Sequence, residues 1–65
     1  MTVYDLTFLF TEDYQKIAIY NLTSGKTVFH GTIEELNYDY FQYRILEVCS
    51  IDCIENNVLT INVEM

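Results

Sequence analysis

The sequence predicts a small α+β domain in a helix-hairpin-helix-hairpin order (αββαββ), with a mainly antiparallel four-stranded sheet and short helices on one face. Three observations carry that reading. Two stretches rich in β-branched and aromatic residues, KIAIYNL and KTVFH, flank a TSG turn. Near the end, VLTINVE alternates apolar and polar residues, as a half-buried strand does. Two short segments, TVYD and TIEE, open on threonine with an acidic residue three places on, the pattern of a helix N-terminus.

The first helix is expected in TVYDLTFLF, where Val3, Leu6, Leu9 and Phe10 recur near helical spacing, with Thr2 as N-cap and Asp5 three residues on. Glu12 and Asp13 mark a polar break. In the hairpin that follows, Gly25 can take a positive φ at little cost. Thr32 and Glu35 form a second capping box and start the second helix. FQYRILEVCSID, residues 41–52, is the longest strand candidate, and ENN is a turn. The last strand places Leu59, Ile61 and Val63 on one side. Thr2, Val3, Asp5 and Leu6 return thirty residues later as Thr32, Ile33, Glu35 and Leu36, which suggests a diverged repeat, 2–31 and 32–64, inside a single domain 1–65.

Composition narrows the function classes. A chain of 65 residues buries only roughly 60% of the surface its unfolded form exposes, so its core is thin. A hydrophobic fraction of 51% and an aromatic fraction of 15% nonetheless argue for a folded chain. Ten acidic residues against Lys16, Lys26 and Arg44 leave a net charge of -7. That balance opposes contact with nucleic-acid phosphates or an anionic membrane, and makes a basic protein surface the natural partner. No proline and only two glycines interrupt the chain, so no flexible linker divides it. With no basic segment leading into an apolar one, and no apolar run near 20 residues, the expected location is cytoplasmic.

The two cysteines, Cys49 and Cys53, stand four apart in EVCSIDC. On a continuous strand they would lie roughly 13 Å apart, too far for a disulfide or a shared zinc, although a turn after Ile51 would bring them together. Only His30 and acidic side chains remain to complete a zinc site. The expectation is two reduced thiols, at least one of them in the core. Neither has a neighbouring base or cation in the sequence to activate it. His30 reads as a surface or hydrogen-bonded structural histidine. The acid pairs Glu12/Asp13 and Glu34/Glu35 sit in no phosphate loop, EF-hand or H-E-x-x-H pattern. No enzyme, metal or cofactor is therefore expected.

NYDYFQY is the most unusual stretch, with Tyr38, Tyr40, Phe41 and Tyr43 set around Asp39. Stacking single-stranded bases on these rings would need a positive groove, which three basic residues cannot build. A protein interface fits better, because tyrosine is enriched among interface hot spots. The candidate partner-binding residues are Glu34, Glu35, Tyr38, Asp39, Tyr40 and Tyr43. Carboxylates at Glu12, Asp13, Glu34, Glu35, Asp39, Glu47, Asp52 and Glu55 would offer a field like that of a nucleic acid to a basic protein.

The opening TVYDL, the central KIAIYNLTSGKTVFHGT and the closing YRILEVCSID resemble small acidic proteins encoded by phages and mobile elements of bacteria. Such loci also encode anti-CRISPR and anti-restriction inhibitors that block nucleic-acid sites on host nucleases. The resemblance implies a class of role, occlusion of a CRISPR effector or restriction enzyme in the host bacterial cytoplasm, and implies no site residues. The alternative is a self-associating accessory phage protein, a homodimer formed through an exposed strand edge or aromatic patch.

Overall fold

A computed structural model describes residues 1–9, 12, 14–39, 41–52 and 56–65, with nothing stated for the side chains of Asp39 and Phe41. Helix α1 spans Val3–Thr7, strands β1 and β2 span Lys16–Asn21 and Lys26–Thr32, and helix α2 spans Ile33–Asp39. A 3-10 turn, Phe41–Ile45, leads to strands β3 (Val48–Ile51) and β4 (Val58–Val63). This is an α+β domain with a four-stranded sheet in the order β2-β1-β4-β3. Its two outer pairings are antiparallel, as expected, but the central β1–β4 pairing is parallel.

Both helices start where the threonines place them. The Thr2 hydroxyl accepts the Asp5 amide at 3.1 Å while the Asp5 carboxylate accepts the Thr2 amide at 3.1 Å. Thr32 and Glu35 repeat the exchange at 3.2 and 3.3 Å. Two orphan amides are satisfied at each helix start, which lets helices this short persist.

β1 and β4 occupy the centre because they are the apolar strands. Their parallel register sets Ile17 beside Leu59 and Ile19 beside Ile61, and Ile19 also faces Phe29 of β2. These residues, with Val63, form one buried cluster with Val3 and Leu6 of α1 and Ile33 and Leu36 of α2. Both helices therefore cover the same face of the sheet. The opposite face carries Lys16, Ala18 and Tyr20 of β1 beside Val58, Thr60 and Asn62 of β4. There the Asn62 side-chain amide donates to Ser50 Oγ at 3.0 Å.

The turns follow local chemistry. Gly25 closes the first hairpin at φ +71°, and its amide donates to the Asn21 carbonyl at 2.8 Å. Before β4, Asn56 and Asn57 take φ values of 54° and 63°, a region asparagine tolerates better than most residues.

One element departs from the sequence reading. Residues 41–52 do not form one long strand. The first part winds into the 3-10 turn, and only Val48–Ile51 enters the sheet. Tyr43 and Leu46 explain this, because they are three residues apart and both pack against the core. Three residues make one 3-10 turn, so that winding puts both on one side, whereas a strand would put them on opposite faces. Packing thus overrides the β propensity of FQYRI.

The two helix starts share their capping, but their hairpins sit differently. In the first, the leading strand β1 is interior and β2 is at the edge; in the second, the leading strand β3 is at the edge and β4 is interior. Among the described residues, no helix is long and apolar enough to cross a membrane.

Candidate functional site

α2 buries Ile33 and Leu36 against the sheet, and this orients the residues between and beyond them outward. Glu34 is exposed and makes no hydrogen bond or ion pair among the described residues. Glu35 is exposed as well, but its carboxylate is engaged with the Thr32 amide and hydroxyl, both at 3.3 Å. A Cβ on Gly31 would stand 3.2 Å from Glu35 Oε2, so glycine there leaves the carboxylate its place. Tyr38 projects from the end of the helix with 77% of its surface exposed.

Tyr43 turns the other way. It is half-buried, packs against the core, and its ring centre lies 6.5 Å from that of Phe29. Tyr40 and the Asp39 side chain lie outside the described residues. Of the six candidates, Glu34 and Tyr38 are thus presented outward, Glu35 caps its own helix, and Tyr43 packs inward.

A second feature was not anticipated. The first residues pair with the segment entering β3: the Val3 amide donates to the Leu46 carbonyl and the Val48 amide to the Met1 carbonyl, each at 2.8 Å. An antiparallel bridge between Thr2 and Glu47 sits between them. This pairing draws α1 alongside the 3-10 turn. The Arg44 guanidinium then lies over the Tyr4 ring, 3.8 Å from its centre, and Phe8 packs edge-on against the same ring at 4.6 Å. Thr2, Tyr4, Arg44 and Ile45 line an open groove of about 300 Å³. Of these Ile45 is 80% exposed, and Phe8, against the Tyr4 ring, is 68% exposed.

Tyr4 and Phe8 are spaced i, i+4 on the expected helix, so their contact was readable from sequence. That Arg44 joins them depends on the 3-10 turn, which was not. Arg44 makes no hydrogen bond or ion pair among the described residues. Two carboxylates close in sequence to Tyr4 and Ile45 are engaged elsewhere. The Asp5 carboxylate accepts the Thr2 amide, and its hydrogen bonding to Thr2 lowers its pKa below the ordinary value of 3.8. Glu47 Oε2 stands 3.3 Å from the Met1 ammonium.

Charge is segregated by element. The eight acidic residues among those described all lie outside the four strands, on helices, turns and strand ends. Two of the three basic residues, Lys16 and Lys26, lie within β1 and β2. The strands, and with them the uncovered sheet face, contribute no carboxylate.

The thiols and the histidine are dispersed. Cys49 is a free, exposed thiol on β3; of the two reduced thiols expected, at least one in the core, the other, Cys53, lies outside the described residues. β3 is an edge strand, and Cys49 is the extra residue where the register shifts between Val48 and Ser50. His30 is exposed on β2. Among the described residues, no group of three or more His, Cys, Asp or Glu side chains could hold a metal ion. Comparisons with protein-family models, with curated proteins and with solved structures find no match.

Proposed function

We propose that this chain is a non-enzymatic binding protein that docks a carboxylate-bearing surface onto a basic nucleic-acid-binding protein, in its concrete form an inhibitor of a host defence nuclease. The observation that supports the reading is the segregation of charge: in a chain of net charge -7, every carboxylate among the described residues lies outside the strands, on the helices, turns and strand ends. Such a field speeds encounter with a basic groove. Exposed Tyr38, Phe8 and Ile45 supply the short-range anchors that a charged surface lacks. The mechanism is occlusion: carboxylates take the places of phosphates, and nothing is chemically transformed.

The test is affinity capture from nuclease-treated bacterial lysate with the wild-type chain and with the double variant Glu34→Lys/Tyr38→Ala. The reading expects the wild type to retain a basic nucleic-acid-binding protein that the folded double variant does not. Retention that is indifferent to the double variant, or no retained protein at all, counts against it.

A further inference from the structure

Among the described residues, the one arginine of this acidic chain has no acid partner. Among the described residues Arg44 forms neither ion pair nor hydrogen bond, although ten carboxylates surround it in the sequence. Its guanidinium is half-buried, held against the Tyr4 ring at 3.8 Å, and borders a groove of about 300 Å³ with Thr2 and Ile45. From this geometry we infer that the groove binds a carboxylate attached to an apolar body. The guanidinium edge takes the carboxylate through two parallel N–H···O bonds, and the Tyr4 and Ile45 side chains take the apolar part.

Three features favour this ligand chemistry. Contact with the Tyr4 ring at 3.8 Å holds the guanidinium in place in advance, which reduces the ordering cost of a bidentate contact. Asp5 and Glu47, the nearest acids in sequence to the groove's lining residues, are bound to Thr2 and to the Met1 ammonium, so they leave the guanidinium donors open. The net charge of -7 also selects for a monoanion, because a phosphate dianion would meet twice the repulsion with only one arginine to offset it. A carboxylate on an apolar body is the chemistry of a hydrophobic chain terminus and of a small aliphatic acid. This inference goes beyond the docking of the acidic surface, and neither depends on the other.

The experiment is an NMR titration of the full chain, following the Arg44 side-chain Nε–H together with the Tyr4 and Ile45 amides. The probes are N-acetyl-leucine, its carboxamide, 4-methylpentanoate and inorganic phosphate. N-acetyl-leucine is expected to move all three signals saturably, and its carboxamide to bind about tenfold more weakly or worse, since only the acid offers a charged acceptor. Arg44→Gln should abolish the response, and Arg44→Lys, which keeps the charge without the planar fork, should weaken it. Binding of N-acetyl-leucine tighter than that of 4-methylpentanoate assigns the groove to a peptide terminus; equal binding assigns it to a small acid. Equal binding of acid and carboxamide by the wild-type chain overturns the inference without recourse to any variant. So does a response to phosphate as strong as that to the acid, or no movement of the Arg44 signal.

Discussion

Glu34 and Glu35 are adjacent, exposed and alike in charge, yet the structure gives them different work, and reversing each charge separates the two roles. Glu35→Lys removes the carboxylate that accepts the Thr32 amide and hydroxyl at 3.3 Å, and places a cation at a helix start. Loss of the cap interaction costs about 1 kcal/mol, and the unfavourable helix dipole adds about 0.5 kcal/mol. Glu34→Lys forgoes only the dipole contribution, about 0.5 kcal/mol. For a domain of this size each kcal/mol shifts Tm by about 4–8 °C, so Glu35→Lys should lower Tm by about 6–12 °C and Glu34→Lys by about 2–4 °C. Glu35→Gln should recover most of the loss, because a glutamine oxygen at this position still accepts the Thr32 amide. Thermal unfolding followed by far-UV circular dichroism measures all three. Equal shifts for the two lysine variants, or no recovery with glutamine, would refute the assignment of Glu35 to the cap. The outcome also decides which residue serves as a clean probe of binding: loss of activity in Glu35→Lys mixes charge with fold, whereas loss in Glu34→Lys reports on charge.

Further outcomes can be checked on the same material. Leu36 is fully buried, and Leu36→Ala should cost about 2–5 kcal/mol, a large share of the roughly 3–10 kcal/mol available to a chain this long, giving a broad, low-temperature transition in the same assay. Asn37 Oδ1 is buried with no hydrogen-bond partner among the described residues, so Asn37→Ala should raise stability by about 1 kcal/mol, measured by urea unfolding, through relief of the unmet acceptor and better helix propensity. Asp5 has its pKa lowered by the Thr2 bonds, so its contribution to stability is present above its ordinary pKa of 3.8 and is lost as the pH falls through the folded-state value. Comparison of wild type with Asp5→Asn across acid pH should therefore show a Tm difference at neutral pH that closes below that point. Exposed Cys49 should react with a thiol reagent in the native protein at a rate that Cys49→Ser removes without altering Tm.

How far the sequence specified this molecule depends on the range of the forces involved. Helix starts are local: a threonine and an acid three residues apart close a capping box whatever surrounds them, and both Thr2/Asp5 and Thr32/Glu35 do so. β4 was readable because the alternation of Leu59, Ile61 and Val63 is itself the record of one buried face. The parallel β1–β4 pairing is not local, since it joins strands about forty residues apart and follows from which two strands are apolar enough to sit in the middle. The 3-10 turn was missed for the same reason: Phe41–Ile45 has strand-like residues, and only the packing of Tyr43 and Leu46 against a core built from distant segments winds it up.

The candidate surface divides along that line. Glu34 and Tyr38 face outward because Ile33 and Leu36 face inward, which helical spacing foretells. The Tyr4–Arg44 stack needed the pairing of residues 1–3 with residues 46–48, which no pattern in the sequence announces. Pairing through the β2 edge, the sequence's alternative route to a dimer, has little regular backbone to use. Val28 is the extra residue where Ile19 pairs with Phe29 and Tyr20 with Thr27, and Glu35 already holds the Thr32 amide. Both features blunt an edge strand.

Mutual exclusion tests the central claim most directly. With the basic partner purified, its binding to a labelled nucleic acid would be titrated with this chain at low and at moderate salt. Occlusion predicts full displacement of the nucleic acid, an affinity that weakens as salt rises, and loss of displacement in Glu34→Lys/Tyr38→Ala. A ternary complex in which the partner holds this chain and its nucleic acid together would contradict it.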